Sequence, residues 1–160
     1  MGRAATKAAS NIWYQARMAA AKGNEKLLSR FGAADEAGMS EDAIKNTELG
    51  LEKCMPVDKA VILADLYGAP ELLNHYCLHE CPIGRNQAIS AEVLPIERIT
   101  CKLVRLLKDE RIEKITDSLL DIAEDGQVSE EEQESLRDAV VYLETLSKAI
   151  SELKIVSEKR

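Results

Sequence analysis

Aromatic residues are scarce in this chain: one Trp, one Phe and four Tyr make up 4% of 160 residues. A core of that composition has to be assembled from Leu, Ile, Val and Ala. Proline and glycine are few as well, four and eight, and the text between them is rich in Ala, Leu, Glu and Lys, which predicts helices. No window alternates with period two for long enough to make a sheet. No run of about 18 apolar residues occurs, so no membrane-spanning helix is expected. The start, "MGRAATKAASNIWYQ", lacks the apolar centre of a signal peptide, and the cytoplasm is the expected location. "MGRAAT" fits the loose myristoylation pattern, which is short and weakly specific. The four cysteines, Cys54, Cys77, Cys81 and Cys101, are expected to stay reduced thiols in that compartment.

The chain is acidic, with a net charge of −7, which is unusual for a nucleic-acid binder, whose affinity comes largely from neutralising phosphates. The charge is unevenly spread. Residues 1–30 carry Arg3, Lys7, Arg17, Lys22, Lys26 and Arg30 against the single acid Glu25. The acids lie downstream, and between residues 10 and 80 they outnumber the bases eleven to seven.

Five short helices are expected before Cys77. The first runs from a cap at Ser10 to about Ala21, ended by Gly23-Asn24. The second opens at Ser29 and stops at Gly38; the third opens at Ser40 and stops at Gly50. The fourth has Pro56 near its start and Gly68 past its end, and the fifth has Pro70 in its first turn. Residues 82–94, "PIGRNQAISAEVL", show no sustained periodicity and predict a linker. Beyond it Ile96, Ile99, Leu103, Leu106, Ile115, Leu119 and Ile122 follow three-four spacing, as do Leu136, Val140, Leu143, Leu146, Ile150 and Leu153. With Asp125-Gly126 between the two stripes, this predicts an antiparallel helical hairpin with arms of about 30 residues, roughly 40 Å each. Two helices bury little on their own, so residues 95–160 are expected to form a homodimer.

The second and third helices carry the most specific signal. Ala34 is small where two helices touch, Gly38 stands where a tight turn requires positive φ, and Ile44 faces inward. Thr47 departs from the pattern, since an apolar residue is usual there. The stretch "KLLSRFGAADEAGMSEDAIKNTELG", closed by Glu48-x-Gly50 and followed by Pro56 and "LADLYGAPELL", resembles the Cro/Xre-type, lambda-repressor-like helix-turn-helix family. The resemblance covers roughly residues 10–75. It implies an all-α protein whose residues 1–81 form a five-helix domain that binds double-stranded operator DNA, usually as a dimer. By position it implies that Glu41, Asp42 and Asn46 face base edges and that Lys26, Arg30, Lys45 and Lys53 lie near phosphates. The expected function is a sequence-specific transcriptional regulator. The acid excess keeps an alternative open, a helix-turn-helix module of adaptor or antitoxin type that docks a protein instead.

Other constellations are weaker. "HYCLHECP" places His75 and His79 at i, i+4, and Cys77 and Cys81 likewise, but the two pairs point about 200° apart on a helix, so all four cannot converge on a metal. "DIAEDGQVSEEE" resembles a calcium loop, with Asp121, Asp125, Gly126, Ser129 and Glu132 in register, yet Ala123 stands where a ligand oxygen is needed. Ser129 followed by Glu132 also reads as a capping box, which needs no ion. No nucleophile elbow and no glycine-rich phosphate loop occurs. No catalytic residue, cofactor or metal is therefore expected.

Overall fold

The computed structural model of the chain describes residues 7–159, and the side chains of Lys7, Glu124, Asp125 and Glu131 lie outside that description. "MGRAAT" thus falls outside the described residues. The described residues hold eight α-helices and no strand, and none of these helices is long and apolar enough to cross a membrane. The chain divides into two compact units, one running to Gln87 and also including residues 158–160, the other spanning Ala88–Ser157. The division falls inside the 82–94 stretch.

The first unit contains α1 (Ile12–Ala20), α2 (Arg30–Ala37), α3 (Glu41–Leu49), α4 (Val57–Leu66) and α5 (Glu71–His79). Short 3-10 turns at Lys7–Ser10, Glu25–Leu28 and Gly84–Asn86 complete it. Each early helix begins on a side-chain cap. Asn11 Oδ1 accepts from Trp13 N at 2.8 Å, so the cap is Asn11; Ser10, the expected cap, ends a 3-10 turn instead. Ser29 Oγ accepts from Gly32 N at 2.9 Å, and Ser40 Oγ from Ala43 N at 3.2 Å. These bonds satisfy amide groups that the helices cannot satisfy themselves. Gly38 ends α2 with φ +64°, a conformation that costs a residue with a Cβ about 1–2 kcal/mol. This left-handed residue redirects the chain from α2 into α3.

Trp13, Leu27, Ile44, Leu63 and Leu72 form the centre of the core, and Ala33, Ala34, Ala60 and Ala64 fill the space where helices approach. The small side chains at 33 and 34 let α2 lie close to α3. Residues 82–87 belong to this unit. A Cβ on Gly84 would lie 2.4 Å from Cys77 O, so only glycine lets the turn after Pro82 close onto α5.

The second unit contains α6 (Ile96–Leu107), α7 (Arg111–Asp125) and α8 (Glu130–Glu158). The stretch expected as one long arm is thus two helices, parted at Lys108–Glu110. The cause is local: Asp109 accepts from Arg111 N at 3.0 Å and from the Arg111 guanidinium at 2.7 Å, which starts a new helix. These bonds hold the Asp109 carboxyl at about pKa 2. The core here is small, comprising Ile99, Ala139, Tyr142, Ala149 and Ile155, and no described side chain of α7 is buried. Polar contacts supplement it. The Tyr142 hydroxyl donates to Leu106 O, Ser90 N donates to Ser151 Oγ at 2.7 Å, and Lys102 Nζ lies 2.9 and 3.0 Å from the two oxygens of buried Glu152.

Candidate nucleic-acid interface

Helix α3 has two faces. Ile44, Thr47 and Glu48 are buried, and positions 41, 42, 45 and 46 share the opposite face, three and four residues apart. Glu41, Asp42 and Lys45 are exposed there, and Asn46 is half-buried. The three residues implied as base readers therefore lie together on the side of α3 turned away from the core.

The inward face of α3 is held by charge as much as by apolar contact. Arg17, only 3% exposed, places Nε 2.5 Å from Glu48 Oε1, and Glu48 is itself 1% exposed. The Arg17 guanidinium also donates to Leu27 O at 2.6 Å and Leu28 O at 3.1 Å. The second oxygen of Glu48 lies 2.7 Å from Arg30 Nε. One buried carboxylate thus joins α1, the start of α2 and α3. Two guanidinium groups share one carboxylate, leaving a surplus of one positive charge (2 − 1). Of the two, Arg30 is the one that reaches solvent, its side chain 30% exposed. Nε is one of five N–H donors on a guanidinium, so Arg30 keeps others for a further acceptor.

A second polar cluster fixes the far end of α3. Lys59 Nζ donates to Glu52 Oε1 at 2.6 Å and to Ala43 O at 2.9 Å. The Thr47 hydroxyl lies 2.9 Å from Ala43 O and 3.2 Å from Glu52 Oε2, while Asn11 Nδ2 donates to Thr47 O at 3.1 Å. Thr47 stands where an apolar residue is usual because this cluster gives its hydroxyl partners. Nearby, burial pushes the Tyr67 phenol up, with Arg17 lowering it and Glu48 raising it.

The residues implied as phosphate contacts are placed unequally. Lys26 pairs with Glu36 at 2.5 Å, and Lys45 with Asp42 at 3.7 Å. Both lysines are well exposed, and pairs of that kind are worth about 0–1 kcal/mol, so they open readily. Lys53 is exposed in the loop before α4. Arg30 differs because its carboxylate partner is buried. The basic N-terminal face is smaller than its sequence suggests, because Arg17 is in the core; Arg3 and the side chain of Lys7 lie outside the described residues.

The buried charges were missed by sequence reasoning, although a signal existed. Trp13, Arg17 and Ala21 fall at i, i+4 and i+8, a core stripe with a cation in its middle, and Glu48 occupies the same kind of position beside Ile44.

The other constellations hold simpler structures. Ser129 N donates to Glu132 Oε2 at 2.8 Å, and Glu132 N to Ser129 Oγ at 3.2 Å, the reciprocal bonds of a capping box. The Asp125 side chain lies outside the described residues. The His75 and His79 rings lie 4.4 Å apart. Burial first, and His79 second, lowers the His75 pKa. Cys77 and Cys81 are half-buried thiols, and burial raises the Cys77 pKa. Among the described residues no group of three His, Cys, Asp or Glu side chains is arranged to hold a metal ion. Comparison with family models, with curated proteins and with solved structures finds no match to this chain.

Proposed function

We propose that the protein is a sequence-specific DNA-binding regulator whose α2–turn–α3 unit is a helix-turn-helix of the lambda-repressor-like kind, within a five-helix domain, and which acts as a homodimer through residues 95–160. The observation that carries this reading is the Arg17–Glu48–Arg30 cluster. Glu48, on the inward face of α3, fixes Arg30 at the start of α2, while Glu41, Asp42 and Asn46 lie on the outward face of α3. A fixed cation and a row of hydrogen-bonding side chains on one two-helix unit suit a duplex: the guanidinium would set position on a phosphate, and the row would read base edges. Asn46 has the two-pronged amide that pairs with adenine, and a carboxylate accepts from the amino group of cytosine while repelling phosphates at every sequence. The two acids thus trade affinity for selectivity. Glu41 and Asp42 also offset the positive end of the α3 dipole, by about 0.3–1 kcal/mol each.

A second reading, a protein-docking module of the same architecture, is favoured by one feature. Three of the four cations implied for phosphate already have carboxylate partners, and Phe31 and Leu28 beside Arg30 are 70% and 59% exposed. Incubating the full chain with pooled genomic DNA at low salt and sequencing the retained fragments separates the two. Enrichment of a common sequence supports the regulator, and no retention supports protein docking.

A further inference from the structure

The second unit leaves many of its large apolar side chains exposed. Among the described residues, twelve large apolar side chains there are exposed, from Val93 to Leu153, against five buried apolar ones. Half of such a side chain is roughly 70 Å², so the twelve leave roughly 800 Å² spread over the whole unit, of which the four on one stripe of α8 supply about a third. Part of this surface is ordered along α8. Leu136, Ala139, Leu143, Leu146, Ile150 and Leu153 alternate three-four spacing, the pattern of a two-helix seam. Ala139 is fully covered within the chain, whereas Val140, Leu143, Ile150 and Leu153 are 46%, 46%, 43% and 37% exposed.

We infer that this open stripe of α8 is the self-association face, and that it receives the same stripe of a second copy running antiparallel. The four exposed residues are spaced three, seven and three apart, an order that reads identically in both directions. Antiparallel pairing about Leu146–Ser147 therefore sets Val140 against Leu153 and Leu143 against Ile150, each contact occurring twice, as an interface with two-fold symmetry requires. A parallel arrangement would instead set Lys154, which falls within the arc of the stripe, against Lys154. Ser147, small and exposed at the crossing point, lets the two backbones approach. The inference names the surface behind the homodimer of the proposed function, and it stands or falls without DNA.

The test is sedimentation velocity on the full chain at tens of micromolar. The parent and Val141→Glu, which adds charge on α8 away from the stripe, should sediment as dimers. Leu143→Glu and Ile150→Glu should sediment as monomers with unchanged helical circular dichroism. In a background with all four native cysteines changed to serine, Ser147→Cys should cross-link two copies under mild oxidation, while Leu143→Cys should not. A monomeric parent, stripe variants that stay dimeric, or efficient cross-linking through position 143 overturns the inference. Loss of DNA binding by a protein that still dimerises counts against the regulator reading only.

Discussion

Arg17 and Glu48 are 31 residues apart in sequence and 2.5 Å apart in space, both almost fully buried. Removing Glu48 strands the Arg17 charge in the core, at a cost of about 3–5 kcal/mol. Glu48→Ala should lower stability by that amount in chemical denaturation, and Arg17→Ala by less, because Arg30 still pairs with Glu48. The double replacement Arg17→Met with Glu48→Leu should be more stable than either single variant. If both single variants denature like the parent, the cluster does not hold α1, α2 and α3 together.

The cluster also marks where the sequence stopped being legible. Boundaries of α2 and α3 could be read because Ser29, Gly38, Ser40 and Gly50 act locally, through caps and positive φ. The burial of Arg17 was signalled only by its place in the Trp13–Ala21 stripe, because its cause is a carboxylate on another helix. Likewise, the break at Lys108–Glu110 is set by one aspartate turning back on Arg111. The only trace of it in the pattern is that the three-four stripe skips from Leu106 to Ile115. The outward position of Glu41, Asp42 and Asn46 was implied by the resemblance to the lambda-repressor-like family, and Glu41 and Asp42 are exposed on α3 with Asn46 half-buried beside them.

Arg30 should act on phosphate without regard to sequence. Arg30→Ala is expected to weaken binding to selected and random duplexes alike. The slope of log K against log salt should become shallower by about 0.9, the share of one phosphate contact. A loss confined to the selected sequence, at unchanged salt slope, would assign Arg30 to base reading instead.

The lowered His75 pKa gives a definite pH dependence. Near pH 6 the folded state binds fewer protons at His75 than the unfolded chain, whose histidine titrates near 6.5. Acidification therefore favours unfolding: the neutral-histidine contribution is full above 6.5 and is lost as pH falls below it. Thermal melts between about pH 7.5 and about pH 5.5 should show His75→Gln losing less stability than the parent over that window. Equal losses would mean that His75 titrates normally.

The capping box predicts indifference to calcium. Glu132 already accepts from Ser129 N, and Ala123 supplies no ligand oxygen. Millimolar calcium should leave the melting temperature of the full chain unchanged, whereas Ser129→Ala should lower stability by about 1 kcal/mol. A calcium-induced rise of many degrees would reveal a working ion site at Asp121–Glu132.

The central claim is that the outward face of α3 reads bases, and its acids decide which. Parent protein and the Glu41→Gln, Asp42→Asn double variant should be carried in parallel through selection from pooled genomic DNA at low salt, with retained fragments sequenced. The account predicts that the parent enriches a defined site, and that the double variant retains more DNA overall with a weaker base preference. If neither protein retains DNA, the face is not a DNA reader and the protein-docking reading replaces it.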